Sequence, residues 1–351
     1  MRVRDLTIVS LSRGLLGEPF IRHELEIGTR RLEAYGITVH FAEHALSGLA
    51  YTQAHPEKRA EDLLNALKGD TDMILCAVGG DDTYRLLPYL FEHGELMKAV
   101  KDGEAKTGKK KIFLGFSDTT MNHLMLHKVG LNTFYGQAFL PDVCELDKEM
   151  LPYTRKYFEE LITAGRISEV RPSDIWYTCR EDFSEQCIGT ALPQHKNSGF
   201  AMLQGSPAFS GEILGGCIDT LYDLFNGDRY GDSPELCSRY GLFPALEDWK
   251  GKILLLESSE ERPLPETYQK MLLALKQTGV FGAVSGVLIG KPYNEQYFEE
   301  YKNLLTEVIG DPDLPVAVNI NAGHALPRCI LPLGVRAEVN VTEQLIRFAG
   351  V

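Results

Sequence analysis

The sequence is short of everything that would mark a secreted, membrane-spanning or nucleic-acid-binding protein. Its seven cysteines (76, 144, 179, 187, 217, 237 and 329) are odd in number, scattered, and never spaced Cys-x-x-Cys. That argues against a disulfide framework and against a zinc site, and fits a reducing cytoplasm. No stretch approaches the roughly 20 apolar residues that a bilayer-spanning helix needs. The opening MRVRDLTIVSLSRGLLGEPF lacks a sustained apolar core and a small-residue cleavage site, so it reads as a first buried strand rather than a signal peptide. Positive charge is scarce too: 36 Lys and Arg stand against 49 Asp and Glu, a formal net charge of -13. Such a surface repels phosphate backbones and anionic lipid, which disfavours nucleic acid and membranes as partners. Internal repeats and low-complexity tracts are missing as well.

What is present is an ordinary globular composition, 44% hydrophobic over 351 residues, long for one core and comfortable for two. The first part alternates short apolar runs with helical periodicity. Leu6 to Leu11, Ile37 to Phe41, Met73 to Val78 and Lys111 to Phe116 read as strands. Glu18 to Tyr35, Pro56 to Leu67, Thr83 to Leu90 and Thr119 to Val129 read as helices, the first ending at a Gly36 C-cap. This alternation predicts a parallel sheet covered on both faces. A polar, proline-bearing stretch from 167 to 197 reads as a linker. Beyond it come short strand-like pieces, glycine-rich turns and two good helices, near Pro265–Thr278 and Glu295–Ile309. The expected fold is α/β: a Rossmann-like parallel-sheet N-terminal domain (1–166) and a smaller, β-rich α+β C-terminal domain (198–351), with a cleft between them for a small molecule.

The sharpest chemical signal is KKIFLGFSDTTMNHLMLHKVG, where an apolar strand runs into Gly115-Phe116-Ser117-Asp118 and a helix follows at once. That is the layout of a nucleophile elbow, in which a tight turn lifts the hydroxyl out of the sheet edge and the next N–H faces an oxyanion. The same letters also fit a Ser117 or Asp118 helix cap. A serine needs a base. His123 and His127 have metal-ligand spacing but no intervening glutamate, and read as helix-surface or packing residues. His324, on a loop directly after Gly323, is better placed to swing into a cleft, although an ordinary loop histidine fits the pattern too. Glu257 closes the apolar run Ile253–Leu256; an acid at the end of a buried strand needs a partner. Gly79-Gly80, between a strand and a helix, could cradle a phosphate, supply oxyanion donors beside Ser117, or simply turn the chain.

In their order, these segments resemble the LD-carboxypeptidases, serine peptidase family S66, which include the microcin C immunity peptidases. The resemblance runs through HPEKRAEDLLNALKGDTDMILCAVGG, LGFSDTTMNHLMLHKVGLNTFYG, GEILGGCIDTLYDLFNG, the ILLLE strand and AGHALPRCILPLG. It implies a Ser…Glu…His triad of Ser117, Glu257 and His324, with backbone amides of Asp118 and Gly80 as oxyanion donors. It further implies no metal or organic cofactor, a homodimer, and a small peptide-like or peptidyl-nucleotide substrate: a muropeptide L,D-linkage or a conjugate of the microcin type. The family's Gly-Gly-Asn is Gly215-Gly216-Cys217 here, and its Tyr-Gly-Pro is Tyr135-Gly136-Gln137. Both departures are expected near substrate and out of contact with the triad. Ser258 replaces the acid that follows the family's glutamate. Two other classes stay open on the residues alone: a nucleotide-dependent kinase using Gly79–Thr83, and a non-catalytic binding protein on the same scaffold.

Overall fold

The computed structural model of the chain describes residues 2–349. Its first part contributes β1 (Asp5–Val9), β2 (Thr38–Phe41), β3 (Met73–Cys76), β4 (Ile112–Gly115) and β5 (Thr133–Tyr135). They pair in parallel in the order β2-β1-β3-β4-β5. Parallel strands need crossovers, and the helices Arg22–Ala34, Pro56–Lys68, Glu95–Thr107 and Thr120–Lys128 supply them. The MILC and IFLG runs of β3 and β4 are buried throughout, as strands covered on both faces must be. Strand order reverses between β1 and β3. A crevice therefore opens at their carboxyl ends, the usual ligand position in a doubly wound sheet.

The remaining strands are β6 (Glu169–Val170), β7 (Ile175–Tyr177), β8 (Gln194–Lys196), β9 (Ala201–Gln204), β10 (Ala208–Cys217), β11 (Ile253–Glu257), β12 (Gly286–Gly290), β13 (Val316–Ile320), β14 (Leu331–Leu333), β15 (Arg336–Asn340) and β16 (Leu345–Phe348). The larger sheet runs β6-β16-β15-β10-β11-β12-β13-β9. Its centre, β10 to β13, is parallel, and the flanking strands are antiparallel. The stretch 167–197 is folded: β6 joins this sheet and β7 and β8 form a two-stranded ribbon. No helix among the described residues is long and apolar enough to cross a membrane.

Two features lock the sheets together. β14 comes from the last part of the chain yet pairs antiparallel with β5, at the edge of the first sheet. At the end of β10, Gly216 has φ +149, and a Cβ there would meet Thr120 Oγ1 at 2.5 Å and the Tyr135 ring at 2.7 Å. Only glycine lets that strand end press against the helix Thr120–Lys128. The two main hydrophobic cores each draw on both sheets. Ile74, Met121, Leu254 and Val287 belong to one, and Leu75, Leu114, Leu255 and Ile320 to the other. The period of two along β3 and β11 is what sends alternate residues to the two cores.

Candidate active site

Ser117 stands where β4 gives way to a helix. Phe116 is extended, Ser117 turns into the left-handed region at φ +69, and a 3-10 turn at Ser117–Thr119 feeds the helix Thr120–Lys128. A side-chain-bearing residue in that region costs about 1–3 kcal/mol, and the surroundings hold it there. Thr119 Oγ1 donates to the Phe116 carbonyl, and the Ser117 N–H donates to Tyr135 Oη at 3.3 Å. Behind the turn, the buried Asp118 carboxylate accepts from Ser12 Oγ at 2.6 Å and the Thr83 N–H at 3.1 Å. Burial lifts this carboxyl to about 6 against those two bonds. Neither Ser117 nor Asp118 caps the helix with its side chain. Gly79 lies alongside: a Cβ there would sit 2.5 Å from Ser117 Cβ and 2.7 Å from Oγ. Gly79 is thus what leaves the hydroxyl its space.

From the other sheet, β11 delivers Glu257, whose side chain is fully buried. Its Oε1 accepts the Tyr135 hydroxyl at 2.6 Å. Its Oε2 accepts the His324 backbone N–H at 3.1 Å and lies 2.7 Å from His324 Nδ1. On the far side of the ring, His324 Nε2 is 2.9 Å from Ser117 Oγ. Gly323, at φ +93, makes this approach possible, since a Cβ there would fall 2.2 Å from Glu257 Oε2. Arg328 braces the loop from inside: its guanidinium donates to the carbonyls of Gly323 and His324, pairs with Asp142 at 2.9 Å, and stacks over Phe116. Burial alone would depress the imidazole. The charge and hydrogen bond of Glu257 outweigh it, and His324 is pushed up to about 10.

The structure therefore brings Ser117, Glu257 and His324 into one hydrogen-bonded chain, with Asp118 following Ser117 and Gly80 beside it in a cleft of about 300 Å³. Gly80 takes φ +133, a conformation L side chains rarely adopt. His123 is buried, bonded to Thr133 Oγ1 and the Gly115 carbonyl, and lowered to about 4 by burial, as a packing histidine should be.

Sequence reasoning missed Tyr135, Arg328 and Glu260 at this site. Tyr135 ties Glu257 to the nucleophile turn, and only the three-dimensional meeting of β5 and β11 reveals it. Two expectations need correction. Gln137 is fully buried and away from the cleft, where its amide donates to the Thr154 and Arg328 carbonyls. Cys217 does touch the trio, because β10 pairs Cys217 directly opposite Glu257. Cys217, Glu257 and His324 each offer a metal-ligating atom, all within 4.8 Å of one another. Those of Glu257 and His324 are already committed to the hydrogen bonds above. Three positions beyond Glu257, the Glu260 Oε2 atom lies 3.0 Å from His324 Nε2. The cost of its partial burial is outweighed by the hydrogen bond and charge of His324, and its carboxyl falls to about 2. That side chain is 59% exposed, so water screens its pull and Glu257 carries most of the imidazole's shift.

The Gly-Gly turn is crowded with paired carboxylates. Asp81 is bound by Arg13, Arg229 and Tyr230, and Asp82 by the buried Arg59 and by Arg85.

Comparison with known proteins follows the same division. Residues 6–136 match the LD-carboxypeptidase N-terminal domain, and residues 210–339 match the LD-carboxypeptidase C-terminal domain. A solved MccF-like protein from Streptococcus pneumoniae, in complex with AMP, is 56% identical with a TM-score of 0.95, over 99% of this chain and 98% of that one. The microcin C7 self-immunity protein MccF of Escherichia coli is 27% identical over 297 residues, 79% of this chain and 75% of that protein. A probable murein peptide carboxypeptidase of Bacillus subtilis is 26% identical over 322 residues, 89% of this chain and 83% of its own length. With both domain models matched in order across more than half its length, the chain belongs to the LD-carboxypeptidase family.

Proposed function

We propose that the protein is a serine hydrolase that cleaves an amide bond in a small peptide-like or aminoacyl-nucleotide substrate through an acyl-enzyme. The observation that carries this reading is the unbroken run Ser117 Oγ, His324 Nε2, His324 Nδ1, Glu257 Oε2, with spacings of 2.9 and 2.7 Å. A neutral His324 takes the proton of Ser117 as the hydroxyl attacks the carbonyl carbon, then returns it to the leaving amine. Glu257 fixes the tautomer and offsets the imidazolium charge. The N–H groups of Asp118 and Gly80 meet the oxyanion, each lowering the barrier by roughly 3–4 kcal/mol. Water then repeats the sequence and frees the acid.

The relatives bracket the substrate: one is a microcin self-immunity protein, one is named for murein peptide, and one was solved with AMP. The arginines around the Gly-Gly turn are taken up by Asp81 and Asp82 rather than left free for a phosphate, which weighs against the kinase alternative. The cysteines are free, which supports a reducing compartment, and a homodimer remains part of the reading on family resemblance. The test is labelling by a fluorophosphonate, expected on Ser117 and abolished by Ser117→Ala, together with release of D-alanine from a muropeptide tetrapeptide or hydrolysis of an aminoacyl-sulfamoyl adenosine. A Ser117→Ala protein that keeps full function would establish a binding protein instead.

A further inference from the structure

Tyr135 closes a ring behind the nucleophile. Its side chain is fully buried, is not among the residues that line the cleft, and packs against Phe116 and His123. The phenol oxygen lies 2.6 Å from Glu257 Oε1 and 3.3 Å from the Ser117 nitrogen. An amide N–H can only donate and a carboxylate can only accept, so the phenol receives the first and gives its own proton to the second. The run from Ser117 Oγ through His324 to Glu257 thus returns to the Ser117 backbone by way of Tyr135. Burial and the Glu257 charge hold the phenol well above its ordinary value, so it keeps its proton. The Ser117 N–H is spent on Tyr135, which in the hydrolase reading leaves the oxyanion to the amides of Asp118 and Gly80.

Both arms of the ring end on Glu257. Its Oε2 takes Nδ1 and the backbone N–H of His324. Among the described residues, Tyr135 is the one hydrogen-bond donor to Oε1. A carboxylate whose charge is shared with another donor pulls less on the imidazolium beside it. The carboxylate does not need Tyr135 to stay in place, because Oε2 keeps its two His324 donors and the side chain fills the space left by Gly323.

We propose that Tyr135 is a positioning residue that acts on the base through Glu257: its hydroxyl draws off part of the carboxylate's charge and so sets the pH at which His324 becomes neutral and able to take the Ser117 proton. This rests on the hydrolase reading and deepens it. The charged and titratable groups facing His324 and Tyr135 are Glu257 and Glu260 from β11 and the loop after it, Cys217 and Asp219 at and just beyond the end of β10, Cys179 behind the His324 carbonyl, Arg328 from the His324 loop, and His123 from the nucleophile helix. All of them remain when the phenol hydroxyl is removed, so a displaced titration reports that hydroxyl.

The test follows the rate of fluorophosphonate labelling of Ser117 against pH, which needs no substrate. Labelling slows as His324 is protonated, so its acid limb marks the imidazole. In Tyr135→Phe the carboxylate pulls harder, the imidazolium holds its proton longer, and the limb should move to higher pH. A move of about one unit makes labelling below the limb about tenfold slower. A second variant carries 3-fluorotyrosine at position 135. It keeps the shape of the side chain and donates more strongly, so the limb should move to lower pH; it decides the matter alone if Tyr135→Phe fails to fold. Nitrogen NMR of the His324 ring should show both displacements. A purely structural role loosens Glu257 and moves the limb down in Tyr135→Phe. That result, an unmoved limb, or two variants displaced in the same direction overturns the proposal, while labelling of Ser117 keeps the hydrolase reading. A wild-type Ser117 that resists labelling at every pH overturns both.

Discussion

At the scale of single residues, the site depends on where a Cβ is absent. Gly323 leaves room for the Glu257 carboxylate, and its φ of +93 is one that other residues resist. Gly323→Ala must either expel the carboxylate or move the loop that carries His324. Displacement of about 1 Å in a reacting pair costs on the order of a hundredfold. We therefore expect at least that loss in kcat/KM, with the far-ultraviolet spectrum unchanged; near-normal turnover would mean that Glu257 does not need its present place. The letters themselves carried this much. Ser117 was legible from a strand–turn–helix pattern and His324 from a glycine-bearing loop. Tyr135 and Glu260 were not, because their importance lies in partners 122 and 64 positions away along the chain. No local spacing encodes such a meeting.

At the scale of elements, β1 to β4 could be read to within about two residues, since buried parallel strands are continuous apolar runs, whereas β5 and β14 of the same sheet went unread. The helices Glu95–Thr107 and Pro152–Ala164 went unread. The first buries only Leu96, Ala99 and Gly103, too thin a stripe to announce itself. The second sheet looked β-rich because its strands are short and glycine-rich, and its parallel centre shows only in the pairing. β10 is the element on which the rest turns, because it aligns Glu257 and ends against the nucleophile helix. Gly216→Ala places a methyl 2.5 Å from Thr120 Oγ1 in a backbone conformation alanine resists. Overpacking of this kind costs about 1–3 kcal/mol, which should appear as a lower urea midpoint with the slope preserved. An unchanged midpoint would show that the β10 end has slack.

At the scale of the whole molecule, two sheets share two cores, so neither sheet keeps a complete hydrophobic interior alone. Unfolding should be one cooperative event. Trp249, buried in the half that bears β11, and far-ultraviolet circular dichroism, which averages over both sheets, should report the same urea midpoint within error. Two separated transitions would show that the sheets stand independently.

The closing of the first sheet by β14 has a consequence for birth on the ribosome. Ser117 leaves the ribosome 207 positions ahead of His324, and β14, the edge strand of its own sheet, follows later still. Until both have emerged, the first sheet lacks its edge and the Ser117 hydroxyl lacks the imidazole that stands beside it in the folded chain. The hydrogen-bonded run at the site can therefore close only once translation has passed Leu333.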